Sequence, residues 1–122
     1  MNHDDPLAIV RSRELLVEAA RAVLRGDLGV IAGARAINRL RHEVAANPAD
    51  PDFLRFVAID GDTDDLPVEA AERNRWDPAA LAAKDAEIAE AEAHWREAAV
   101  EGCRRLIERF AKGNKYGARS TE

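Results

Sequence analysis

The dipeptide Asp-Pro occurs three times, at Asp5-Pro6, Asp50-Pro51 and Asp77-Pro78, and it fixes where helices begin. An aspartate N-cap accepts a hydrogen bond from a backbone N–H of the first turn. Proline at the next position gives up only an N–H that a helix leaves unpaired, and its fixed φ already suits the helix. Apolar residues after each signal recur at helical rather than alternating spacing. The expectation is an all-α, antiparallel helical bundle of about four helices with one long C-terminal helix. A single domain should span residues 1–112, followed by a flexible tail over 113–122.

The first helix is expected from Pro6 to Arg25, with Ile9, Leu16, Ala20 and Val23 along one face. Gly26 stops it, and Asp27 is placed to cap a second helix from Leu28 to Ala46. That helix carries a stripe of Val30, Gly33, Ile37, Leu40 and Val44, with Gly29 and Gly33 leaving room for the first helix to approach. A short third helix follows Asp50-Pro51, brings Phe53 and Phe56 to one side, and is expected across one end of the bundle. The segment from Pro67 to Trp76 has room for one more turn. The long helix, from Pro78 to Lys112, aligns Leu81, Ile88, Trp95, Ala99, Cys103, Leu106 and Phe110. Its charge is polarised: Asp85, Glu87, Glu90 and Glu92 lie in the first half, and Arg104, Arg105, Arg109 and Lys112 in the second. That order complements the helix dipole.

Composition narrows the function classes. The chain of 122 residues can bury one core unaided. A net charge of −5 disfavours general nucleic-acid binding, which needs a basic face. No apolar run approaches the roughly 20 residues of a membrane span, and MNHDDPLAIV lacks the basic-then-apolar order of a secretion signal. The single cysteine, Cys103, excludes an internal disulfide and fits a reducing compartment. The expected setting is therefore cytoplasmic, with no nucleic-acid or membrane partner. Arginine supplies 15 of 18 basic residues; with the abundant alanine, this bias fits a GC-rich bacterial genome.

Chemistry, if present, concentrates at DGDTDDLP, residues 60–67. Asp60, Asp62 and Asp64 match the first, third and fifth places of a calcium loop, but Asp65 stands where glycine belongs and Ala71 where the closing glutamate belongs. The stretch is better read as an exposed acidic link, and no metal or cofactor is assigned. His3, His42 and His94 are scattered, without paired ligand spacing. The hydroxyls Ser12, Thr63, Tyr116, Ser120 and Thr121 have no nucleophile context, Cys103 falls on a core stripe, and Gly26, Gly29 and Gly33 form no phosphate loop. No catalytic residue is assigned. Asp85 and Glu92 project into the apolar stripe of the long helix and Arg41 into that of the second, which predicts an interhelix ion pair. Arg35, Arg39 and His42 are read as a solvated stripe, and the C-terminal cluster through Lys115 and Arg119 likewise.

The run GDLGVIAGARAINRLR, followed by DPDFLRFVAIDGDTDDLPVEAAERNRW and the long helix, resembles uncharacterised small helical bacterial proteins that carry a domain of unknown function. No assigned activity comes with that resemblance. In size, acidity and helicity the chain also looks like bacterial toxin-immunity proteins, which implies carboxylates presented to a basic toxin. The leading expectation is a non-enzymatic protein-interaction module, an inhibitor or immunity-like partner, with Asp60, Asp62, Asp64, Asp65, Glu87 and Glu90 as its contact surface. Two alternatives stand beside it. One is a metal-binding protein or metal-dependent enzyme using Asp60, Asp62, Asp64 and Glu72. The other is a self-associating helical protein, a homodimer that offers Trp95 or Phe110 to a second copy.

Overall fold

A computed structural model describes residues 5–44 and 47–114, with no account of the side chains of residues 112–114. His3, the expected end of the second helix at Ala46, and the tail with Lys115, Tyr116 and Arg119 lie outside the described residues. Among the described residues five α-helices follow in order: α1 (Pro6–Arg25), α2 (Val30–Leu40), α3 (Pro51–Asp62), α4 (Ala70–Arg73) and α5 (Pro78–Asn114). The protein is all-α, and no strand occurs among the described residues.

All three Asp-Pro signals start helices. The side chain of Asp5 accepts from Leu7 N–H, that of Asp50 from Asp52 N–H, and that of Asp77 from Ala79 and Ala80 N–H. Gly26 ends α1 in the left-handed region, with φ of 85°, where a side chain would be strained. Helix α2 is shorter than expected. It starts at Val30, and after Leu40 the chain tightens into a 3-10 turn over Arg41–Glu43. Asp27 does not cap it but pairs with Arg25 at 2.9 Å.

The α1–α2 hairpin packs on α3 and α5 around one core. Leu16, Ala20, Val23, Ile37, Phe53 and Phe56 meet Ala99, Cys103, Leu106 and Phe110 there. Gly33 admits α1, since a Cβ at this position would collide with Val23. Helix α3 does not cross one end of the bundle. It lies antiparallel along α5, from Asp50–Arg109 at one end, through Arg55 donating to Ala98 O, to Trp95–Asp62 at the other. The reason is local. Gly102 removes a side chain where Phe56 and Arg55 press against α5, so the Phe-rich face of α3 can lie flat on it.

Helix α5, at 37 residues, is about 55 Å long and exceeds the bundle. Its buried residues begin at Ala99; the turns from Pro78 to Ile88 are exposed or half-buried. This projecting arm is accompanied by the segment between α3 and α5. No helix of the described residues is long and apolar enough to cross a membrane.

Candidate functional site

The acidic stretch is divided between a helix end and a turn. Asp60, Gly61 and Asp62 form the last turn of α3, and Thr63 closes it, its hydroxyl donating to Ile59 O at 2.7 Å. The chain then turns back, with Leu66 N–H donating to Thr63 O at 3.0 Å. The fold of this turn depends on Arg35 of α2, which is 7% exposed. Its Nη2 donates to Thr63 O at 2.9 Å and Leu66 O at 2.8 Å, and its Nη1 donates to Glu72 Oε1 at 3.2 Å. Glu72 also accepts from the N–H groups of Val68 and Glu69. Burial pushes the Glu72 carboxyl upward, but the Glu69 N–H and the Arg35 guanidinium outweigh it and hold this group below the usual carboxylate range. At the end of α4, Arg73 donates to Pro67 O and grips Asp85 of α5 with two bonds, at 2.8 and 3.1 Å. The segment is therefore fastened to α2 at one point and to the arm of α5 at another.

Arg35 thus leaves the solvated stripe assigned to it; Arg39 and His42 remain exposed. A projection of α2 alone puts all three on one face. What covers Arg35 is a segment about 30 residues later in the chain. One signal was present: Ile31, four residues before Arg35 and fully buried, is an apolar residue off the main stripe.

Between this segment and the arm of α5 lies a groove of about 570 Å³. Carboxylates from both sides rim it, Asp62 and Asp65 from the turn and Glu87 and Glu90 from α5, while Leu66 and Trp95 line its floor. Asp65 and Glu90 have no partner among the described residues, and Glu87 is bonded to Lys84 at 3.4 Å. The indole of Trp95 is held in place, its Nε1–H donating to Asp62 at 3.0 Å and the His94 ring standing edge-on to it at 5.0 Å. Four of the six residues expected on a contact surface therefore share one groove. Asp64 is exposed but does not line it, and Asp60 is turned toward α2, accepting from Asn38 at 2.8 Å.

The interhelix ion pair among Arg41, Asp85 and Glu92 does not form. Arg41, in the turn after α2, donates to Asn38 in the last turn of α2 and reaches Pro48 O, and Asp85 is taken by Arg73. Glu92 instead caps α2 from the side: its two oxygens accept from Val30 N–H at 2.8 Å and Ile31 N–H at 3.0 Å. Gly29 makes room for that carboxylate, since a Cβ there would stand 3.0 Å from Glu92 Oε2. An anion at the unpaired N–H groups of a helix start is favoured by both hydrogen bonding and the dipole.

The carboxylates of the calcium-like pattern are taken up by other groups, Asp60 and Glu72 both by the Arg35 guanidinium, at 3.9 and 3.2 Å. Asp60 faces α2, Asp62 faces Trp95 and Glu72 faces Arg35; among the described residues no three His, Cys, Asp or Glu are grouped to hold a metal ion. Cys103 is fully buried, and burial pushes its thiol up to about 11, so it is a packing residue with little thiolate at neutral pH. Phe110 is buried against Phe53, with Arg13 and Arg109 over its ring, and is closed to a second copy. Arg105 and Arg109 are engaged by Asp52, and Arg109 also by Asp50. No family model matches this chain, nor does any curated protein or solved structure.

Proposed function

We propose that this chain is a non-enzymatic protein-interaction module, an inhibitor or immunity-like protein of the cytoplasm, that presents the groove between residues 62–66 and α5 to a basic protein partner. The observation that carries this reading is the convergence of four carboxylates from two separate elements around an apolar floor. Two of those carboxylates, Asp65 and Glu90, are left without any partner in the described fold. By contrast, Arg35, Arg73, Arg105 and Arg109 each meet a carboxylate within the fold. The unpaired carboxylates of the groove are complementary to a basic surface, which would complete them.

Self-association through the arm fits the same surface poorly. Glu87 and Glu90 on the arm stand with Asp62 and Asp65 around the groove, so two such faces laid together would repel.

The test is affinity capture from a lysate of the source organism, with wild type compared against Asp65→Lys combined with Glu90→Lys. Both side chains are exposed and unpartnered, so the variant should fold. A basic protein captured by the wild type and lost from the variant is the expected result. Identical capture by both proteins would rule out the groove as the contact surface.

A further inference from the structure

Resting on that reading, we propose that the groove is built for an arginine side chain of the partner, stacked on Trp95 and clasped by Asp65 and Glu90. The same chain contains a finished version of this arrangement. Arg109 lies over the Phe110 ring, 4.6 Å from its centroid, while its guanidinium nitrogens bond to Asp50 at 2.8 Å and Asp52 at 2.9 Å. A ring on one side and carboxylates around the guanidinium edge satisfy both faces of that ion's chemistry: its planar π surface and its in-plane donors.

The groove repeats these parts without their cation. Trp95 is the ring, and indole is the strongest cation-π partner among the aromatic side chains. Its bond to Asp62 and the edge contact with His94 fix its orientation before any ligand arrives, which removes an ordering cost from binding. A carboxylate accepting from Nε1–H also pushes electron density into the indole, which strengthens its attraction for a cation. Of the carboxylates at the rim, Asp65 and Glu90 are free to accept.

Two cations of the same region do not meet Asp65 or Glu90. Lys84 bonds to Glu87 and sits over Trp76 at 5.8 Å, and Arg73 is committed to Asp85. Arginine is preferred over lysine because an ammonium is a compact, strongly hydrated point charge. It can neither lie flat on the ring nor offer parallel donors to two carboxylates.

The protein has two tryptophans, so the conservative Trp76→Phe variant leaves Trp95 as the single tryptophan, excited selectively at the red edge of its absorption. That variant is titrated at low salt with a short arginine-glycine peptide amide and with its lysine-glycine counterpart. Saturable change in Trp95 emission is expected, with the arginine peptide bound about threefold or more tightly than the lysine peptide. Asp65→Asn with Glu90→Gln should weaken binding about fivefold. Asp64→Asn, which removes one charge just outside the groove, should leave it within about twofold. The proposal is overturned by no response at millimolar arginine peptide, by equal affinity for the lysine peptide, or by an Asp64→Asn loss as large as that in the groove. Failure here with capture still lost in the Asp65→Lys, Glu90→Lys variant would overturn the arginine site alone. Peptide binding with unchanged capture would support the arginine site and overturn the partner reading.

Discussion

Replacing Arg35 by methionine should release the acidic turn while leaving the bundle folded. Methionine keeps an unbranched stem of similar shape but none of the donors. Two carbonyls, Thr63 O and Leu66 O, then lose bonds of 2.9 and 2.8 Å to a charged group. Such bonds each contribute about 1.5–3 kcal/mol. Some of that returns, because the freed segment can lift off and solvate its carbonyls. Glu72 adds little, since its side chain is 39% exposed and its bond to Arg35 is screened by water. A net loss of about 3 kcal/mol remains for holding the segment against α2. At about 1.4 kcal/mol per factor of ten, opening becomes about a hundredfold more frequent. Native-state hydrogen exchange reads this directly. The Leu66 amide, bonded to Thr63 O, should exchange about a hundredfold faster, while core amides of α3 and α5 keep their protection. A Leu66 amide within about threefold of wild type would refute the assignment of Arg35 as the residue that folds the turn.

Three further outcomes follow from other contacts. Glu92→Ala leaves the Val30 and Ile31 N–H groups without their acceptor and should cost about 1–2 kcal/mol in urea unfolding; an unchanged midpoint would remove Glu92 as the cap of α2. Asp50 is held below the usual aspartate range chiefly by its bond to Arg109, against the upward push of burial. With the folded pKa below the unfolded one, this contribution is fully present above about pH 4 and is lost as the pH falls through the depressed value. Asp50→Asn should therefore lower stability by about 1 kcal/mol at pH 7 and flatten the acid limb of a stability–pH curve; parallel curves for the two proteins would contradict the pairing. Gly102→Ala places a methyl group 2.7 Å from the Phe56 ring and should cost about 1–3 kcal/mol by overpacking, measured as a drop in thermal midpoint.

The fold was legible where structure is decided by neighbours in sequence. Asp5, Asp50 and Asp77 announce their helices because capping is settled within a few residues of the cap. The long stripe ending at Phe110 was readable by period alone. Contacts made across the chain were not. Arg35 reads as a surface cation until residues 63–72 close over it, and Glu92 reads as a stripe carboxylate until Val30 arrives beside it, 62 residues away in sequence. Arg41 misled for a local reason: the helix tightens at that point and Asn38, three residues earlier, takes its guanidinium. For the site, the carboxylates of residues 62–65 and 87–90 were visible as two separate acidic runs. That they face one another across a groove, with Trp95 between them, follows from the turn that Arg35 holds.

The cap supplied by Glu92 bears on the order in which the chain can fold. Helix α2 has 11 residues and no side-chain cap of its own, and a helix that short is marginal in water without help. The α1–α2 hairpin is local in sequence, but the first turn of α2 lacks its side-chain acceptor until α5 docks and brings Glu92 to it. During synthesis, that turn must wait until residue 92 has left the ribosome. Completing the hairpin and closing the bundle then become one event, which couples the halves of the molecule in a single cooperative transition.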